Sequence, residues 1–272
     1  VDYTGSGQPT LDLTAFYGSQ GKLLGINVID AFARGIFSGN LTHEIVHQWA
    51  SFTSTSLGLS DDTGHYKPRS SVASLVGGFQ WTDNGDGTFD IDCNVGRNGG
   101  YSAPPLDKYM MGLIDGSRVP MVRVLSEMVP LFPKCQGEPV AADEIAAVVR
   151  IEDIQNAHGI RAPSPDSAQR EFRIAFVAET HERLLTPTEL TFYELLAEHS
   201  TKAVPAADPH PYVGIDNWAP ITRFFGEGTT WRSDIPLPEA TTTSTTTSST
   251  TSTSSSTSST TSTTTSTSST TT

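Results

Sequence analysis

Two histidines separated by three residues, with a glutamate beside the first, are the residues of this sequence best suited to chemistry. They are His43, Glu44 and His47, in the segment His-Glu-Ile-Val-His. Residues four apart on a helix project from one face, so both imidazoles can bind one metal ion. The glutamate can then reach a water molecule whose pKa zinc lowers to about 7. The spacing predicts a zinc site suited to hydrolysis, with Glu44 as general base; the alternative is an exposed helix with two incidental histidines.

A catalytic zinc site needs a third protein ligand, and the two best-known sequence patterns for it are absent. Metzincins place a histidine six residues after the second one of the motif, where this chain has Thr53. Thermolysin-like enzymes use a glutamate about twenty residues further on. This chain has no glutamate between Glu44 and Glu127. The third ligand must therefore come from elsewhere.

His65 is the best candidate for the third ligand. It follows Gly64, whose flexibility allows a loop to return towards the helix. Asp61 or Asp62, or a more distant group, are the alternatives, because carboxylates also bind zinc. We therefore expect zinc to be held by His43, His47 and His65.

A resemblance extends beyond the histidine motif. Four blocks carry it: HEIVHQW at 43–49, GHY at 64–66, VGGFQWTDNGDGTF at 76–89 and YSAPPLDKYMMGL at 101–113. Together they resemble a group of bacterial extracellular proteins with a zincin-type active site, over residues 23–193. The resemblance implies a zinc-dependent peptidase. We expect a zincin-like α+β fold with a mixed twisted sheet, an active-site helix beneath it and a more helical C-terminal portion.

Tyrosines could complete such a site. Tyr66, Tyr101 or Tyr109 could donate a hydrogen bond to the oxyanion of a tetrahedral intermediate, although each could equally be a buried or stacking residue. Tyr109 is the predicted catalytic tyrosine because Asp107 lies nearby in the sequence. Asp107 could instead orient a ligand histidine.

Hydrophobic periodicity predicts the elements that position these residues. Leu41, Ile45 and Trp49 recur at helical spacing, so residues 41 to about 52 are predicted to form an amphipathic helix. Its apolar stripe lies off the histidine face. The other predicted elements are a buried strand at 23–29, a hairpin at 79–92, a short helix at 106–113, strands at 148–151 and 172–177, and a helix from the capping box at 186–189 to about residue 199.

Composition divides the 272-residue chain into two parts. Residues 241–272 are only threonine and serine, so this tail or linker is predicted to be disordered and open to O-glycosylation. Residues 1–240 are predicted to form the zincin-like metallopeptidase domain. With 30 acidic and 17 basic residues, the net charge of −13 argues against nucleic acid or anionic membranes as partners. No apolar run is long enough for a membrane span.

The site of action is predicted to be outside the cell. The Ser/Thr tail is typical of extracellular stalks, and the chain begins at Val1 without a leader, as a processed protein or an excerpt would. Cys93 and Cys135 could form a disulfide or remain two separate thiols.

The predicted function is that of a secreted or cell-surface zinc endopeptidase acting on protein or peptide substrates. Two alternatives remain. One is a non-catalytic extracellular binding module with a structural metal site. The other is a zinc hydrolase of non-peptide substrates, since activated water attacks esters and amides alike.

Overall fold

The computed structural model describes residues 4–7, 14–19, 23–28, 40–53, 55–61, 63–93, 102–180, 183–203 and 221–234. All of them fall in the first of two compact units, Val1–Ile235; the second unit is Pro236–Thr272. The helices are α1 (Thr14–Tyr17), α2 (Asn40–Val46), α3 (Pro105–Met110), α4 (Leu131–Lys134), α5 (Ile151–His158), α6 (Pro187–Thr201) and α7 (Ile221–Phe225). The strands are β1 (Gln80–Asp83), β2 (Phe89–Asp92), β3 (Val122–Leu125), β4 (Ile145–Val149), β5 (Glu171–Arg173) and β6 (Thr230–Arg232). Short 3-10 helices cover Thr55–Leu57, Gly116–Arg118 and Ala142–Glu144.

The strands pair into three small sheets. β1 and β2 form an antiparallel hairpin, β3 and β4 pair antiparallel, and β5 and β6 pair in parallel. The α+β class is therefore confirmed. The single mixed twisted sheet that we expected is not found among the described strands, because each has only one strand partner and none exceeds five residues. The two longest described helices, α5 and α6, lie in the C-terminal half.

One face of α2 is buried in the main hydrophobic core. Its apolar positions pack with side chains from α3, α7 and the β5–β6 pair. Trp49, just after α2, meets the ring of Phe172 edge-on at 5.6 Å, and Phe172 stacks on Trp231 at 4.4 Å. Such aromatic pairs add about 0.5–1.5 kcal/mol each beyond the burial of their surface. This packing fixes which face of α2 points away from the core.

The α2 helix ends earlier than its periodicity predicts. Regular helix stops at Val46, but a tightened turn continues, with the amide of Trp49 donating to Val46 O and that of Ala50 donating to the same oxygen. Ser51 then adopts a positive φ of 69° and reverses the chain. Left-handed backbone commonly ends a helix, and it is unusual for a residue other than glycine.

The predicted buried strand at 23–29 is wrong for the part that the structure describes. Residues 23–28 form no strand, and Leu23, Ile26 and Val28 are exposed. Leu24 alone of this segment packs on the core. A short apolar run does not by itself reveal whether a neighbouring strand is available to pair with it.

Two later strands are shifted from their predicted positions. β4 covers Ile145–Val149, and Ile151 begins α5 because the Arg150 amide donates to Asp153 Oδ2 in a capping arrangement. β5 ends at Arg173, opposite the last residue of β6. Local hydrophobicity cannot predict where these strands end. The end of β4 is set by the cap of α5, and the end of β5 by the length of its distant partner β6.

The remaining predicted elements are confirmed. The hairpin pairs Gln80 with Asp92 and Asp83 with Phe89. α3 ends just before Gly112, which has a φ of 80°. α6 begins after Thr186 with the predicted capping box to Glu189.

No helix in the described ranges is both long enough and apolar enough to cross a membrane.

Cys93 and Cys135 form a disulfide. It joins the end of β2 to the end of α4 and borders a second, smaller hydrophobic cluster. Of the two alternatives for the cysteines, the structure has the paired one.

Replacing both cysteines by serine is expected to lower the free energy of unfolding by about 4 kcal/mol. The bond spans a sequence separation of 42 residues, and opening that loop returns conformational entropy to the unfolded chain. Urea denaturation of the Cys93→Ser/Cys135→Ser variant and the wild type measures the difference. A reductant should shift the midpoint of the wild type alone; equal midpoints without reductant would contradict the expectation.

Candidate metal centre

His43 and His47 lie on the side of α2 that faces away from the core. Both are half-buried, whereas Leu41 and Ile45 between and beside them are buried. The Nε2 atoms of the two histidines are 3.1 Å apart. His43 Nδ1 is 2.9 Å from Leu75 O, and a carbonyl only accepts, so Nδ1 carries the proton and Nε2 presents its lone pair.

A loop brings His65 to the same point. Its Nε2 lies 3.3 Å from His43 Nε2, and the three histidines place their ligand atoms within 4.8 Å of one another. The loop is closed by the Asp61 amide, which donates to His65 O, and by the His65 amide, which donates to Asp61 Oδ1. Ser51 Oγ donates to Gly64 O and so ties the loop to the end of the α2 turn.

Gly77 allows the second wall of the site to approach. It has a φ of 121°, and a Cβ there would lie 2.1 Å from Tyr66 O. Only glycine permits this contact, which holds the Leu75–Val76 backbone against the segment that carries His65. Tyr66 N donates to Val76 O at 2.8 Å across the same junction. Leu75, which accepts the His43 proton, and His65 therefore lie on two segments that are held together directly.

The three imidazoles suit a metal ion. Nitrogens around tetrahedral zinc are about 3.3 Å apart when each Zn–N bond is about 2.05 Å long, close to the 3.1 and 3.3 Å that separate His43 Nε2 from the other two histidines. The third pair of ligand atoms lies within 4.8 Å. Burial lowers the pKa of His43 and of His47, and the neighbouring histidines lower that of His47 further. Both rings are therefore neutral near pH 7, as metal binding requires. The cluster could hold a metal ion.

Glu44 lies beside this cluster without belonging to it. Its side chain is exposed, and its negative charge raises the pKa of both His43 and His47, against the effect of burial. The carboxylate therefore acts electrostatically on both imidazoles while remaining accessible to solvent. Its role as general base stays a prediction.

Buried polar groups lie next to the segments that carry His65 and Leu75. Asp107 and Tyr66 are buried, and Ser74 Oγ donates to Asp107 Oδ2 at 2.6 Å. The Tyr66 hydroxyl lies next to the Asp107 carboxyl without meeting hydrogen-bond geometry. Burial raises the pKa of Asp107 to about 7, although Ser74 and Tyr66 oppose the shift. No described hydrogen bond joins Asp107 to a histidine. Asp107 instead fixes Ser74, the residue before Leu75.

Tyr109 is not brought to the histidines by any contact that the structure describes. It is buried, and its hydroxyl accepts hydrogen bonds from Gln155 Nε2 at 3.2 Å and from the Arg161 amide at 3.3 Å. Its catalytic role stays a prediction. Tyr101 and Asp62 lie outside the described residues.

Sequence reasoning missed the groups that hold the histidines in place. Leu75 acts through a backbone carbonyl, which no side-chain pattern reveals. Ser74 and Ser51 gave no signal either, because their partners are distant in sequence. The sequence singles out Asp107, but not its partner Ser74.

Comparison of the chain with protein-family models, with curated proteins and with solved structures gives no match.

The buried Asp107 carboxyl predicts a pH dependence of stability. Because its pKa is about 7 in the folded protein and 3.8 ordinarily, the folded state retains a proton that the unfolded state has lost between those values. This stabilisation is present below about pH 4 and is lost as pH rises through about 7, at up to ~1.4 kcal/mol per pH unit. Asp107→Asn keeps an acceptor for Ser74 and abolishes the titration.

The measurement is urea denaturation of wild type and Asp107→Asn, both metal-free, at pH 5 and pH 8. We expect the variant to gain stability relative to the wild type as pH rises. Contributions of the histidines occur in both proteins and cancel in the comparison. Parallel pH profiles would show that Asp107 does not titrate in this range.

Proposed function

We propose that the protein is a zinc-dependent endopeptidase whose metal ligands are His43, His47 and His65. The observation that carries the proposal is the convergence of the three histidines, with Nε2–Nε2 distances of 3.1 and 3.3 Å. A donor set of three imidazoles is one of those found in catalytic zinc sites. Among the described residues, no fourth histidine, cysteine or carboxylate belongs to the cluster, which supports a coordination position left for water or substrate.

The residues of the chain then have separate tasks. The three histidines would hold the zinc ion, which would supply acidification of a water molecule and polarisation of a carbonyl group. Glu44 would accept a proton from the attacking water at its exposed carboxylate and pass it to the nitrogen of the leaving amine. Leu75 O holds the His43 ring in the tautomer that offers Nε2. The half-buried setting of the histidines limits competition from bulk water.

Peptide substrates and a zincin-like fold are parts of the same proposal. The HExxH helix with its apolar side in the core and its histidines directed away from it supports the zincin assignment. The proposed location is extracellular. The Cys93–Cys135 disulfide supports it, since disulfides persist in oxidising compartments. The Ser/Thr tail supports it as well.

Replacing Glu44 by glutamine is expected to reduce cleavage of an unstructured protein substrate by roughly 10²–10⁴-fold, the contribution of a positioned general base. The amide has nearly the shape of the carboxylate but cannot take the proton. Zinc content, measured by atomic absorption after dialysis, should stay at one ion per chain. The matched control is Glu152→Gln, an exposed glutamate on α5, which should cleave like wild type.

The same assay separates the alternatives. A chelator should stop wild-type cleavage, and added zinc should restore it. If Glu44→Gln cleaves as fast as wild type, Glu44 is not the base. If zinc-loaded wild type hydrolyses activated esters but no peptide bond, the protein is a zinc hydrolase of non-peptide substrates. If it hydrolyses neither, the metal site is structural.

A further inference from the structure

The hydrogen bonds on the outer side of His65 form a chain of three residues. Thr63 Oγ1 is 2.6 Å from Asp61 Oδ1 and 3.0 Å from His65 Nδ1. The same Asp61 oxygen also accepts from the backbone amides of Thr63 and His65, at 2.8 and 3.1 Å. Asp61 therefore fixes both the hydroxyl and the backbone of this loop.

The direction of each hydrogen bond follows from the groups present. An ionised carboxylate can only accept, so the Thr63 hydroxyl gives its single proton to Asp61. With that proton committed, Thr63 Oγ1 can only accept from the ring. His65 Nδ1 must then carry a proton, which leaves the lone pair of the neutral ring on Nε2. That is the nitrogen 3.3 Å from His43 Nε2.

We propose that Asp61 and Thr63 are positioning residues that set the tautomer and the orientation of His65 for metal binding, through the relay from His65 Nδ1–H to the Thr63 hydroxyl and on to the Asp61 carboxylate. The inference rests on the proposed metal site. It adds a role for two residues, one of which, Asp61, sequence reasoning considered only as a ligand. Leu75 O does the same for His43 by a backbone carbonyl. His43 and His65 thus both carry their proton on Nδ1, although the acceptor is a backbone carbonyl in one case and a threonine hydroxyl in the other.

The relay lets a negative charge act on His65, which the neutral backbone carbonyl next to His43 cannot do. A hydroxyl that has donated its proton to a carboxylate is a stronger acceptor, because hydrogen bonds in a chain polarise one another. The charge of Asp61 therefore strengthens the hydrogen bond that orients the ring of His65. The threonine transmits this effect without placing a carboxylate on the metal.

The test compares Thr63→Val with Thr63→Ser in zinc affinity, measured by competition with a chromophoric chelator. Valine keeps the branched shape and removes the hydroxyl; serine keeps the hydroxyl. We expect valine to weaken zinc binding by roughly 10–100-fold, as loss of an outer-shell partner of a ligand histidine does. Serine should bind within about threefold of wild type, and equal affinities for the two variants would overturn the proposal.

Asp61→Asn provides a test of the chain rather than of the threonine alone. Its amide oxygen can still accept from the two backbone amides, so only the charge is lost. The substitution should weaken zinc binding more in the wild type than in Thr63→Val, because part of its effect passes through the threonine hydroxyl. Additive losses would show two independent effects and would contradict the relay.

A measurement on the metal-free protein keeps this inference apart from the proposed function. Long-range ¹H–¹⁵N spectra report which ring nitrogen carries the proton. Wild-type His65 is expected to be protonated at Nδ1 when neutral, and Thr63→Val should shift it towards the Nε2 form. If neutral wild-type His65 carries its proton on Nε2, the relay is wrong even where zinc binds. If the tautomer is as expected but zinc does not bind, the proposed function fails and the relay stands as a hydrogen-bond assignment only.

Discussion

Three imidazoles can bind one metal ion only if each ring is neutral and turns the lone pair of one nitrogen towards the ion, and this constraint governs the rest of the site. Protonated rings at Nε2 separations of 3.1 and 3.3 Å would repel one another. Burial and mutual proximity favour the neutral form of His43 and His47. Orientation needs a partner for the outer nitrogen, which Leu75 O supplies to His43 and the Thr63 hydroxyl to His65.

The scaffold meets this constraint by joining distant segments of the chain. Packing of Trp49 against the β5–β6 aromatics fixes α2, while Ser51 Oγ connects the end of its turn to Gly64 O. The buried Asp107 carboxyl accepts a hydrogen bond from the hydroxyl of Ser74, the residue before Leu75, and so fixes this part of the backbone. Because burial raises the pKa of this carboxyl to about 7, its ionisation lowers the stability of the folded protein as the pH rises to neutral.

How much of this could be predicted from sequence depended on the range of the interaction. The histidine pair, the hairpin and the Thr186 capping box are local patterns, and the structure has all three. His65 could be singled out because few metal-binding residues follow the motif at a suitable distance. The pairing of β5 with β6 depends on a partner far along the chain, and most of residues 23–28 remain exposed although the segment is an apolar run. The end of α2 was not predictable because Ser51, which is not a glycine, adopts the positive φ that reverses the chain. Backbone groups such as Leu75 O carry no residue-type signal at all.

The central claim is that these three histidines bind one zinc ion and leave one coordination position open. X-ray absorption at the zinc edge, on protein loaded with one equivalent of zinc, tests it most directly. We expect a four-coordinate ion with three imidazole nitrogens at about 2.0–2.1 Å and one oxygen. A sulfur neighbour, a fourth imidazole, or an absorption spectrum of zinc free in solution would contradict it.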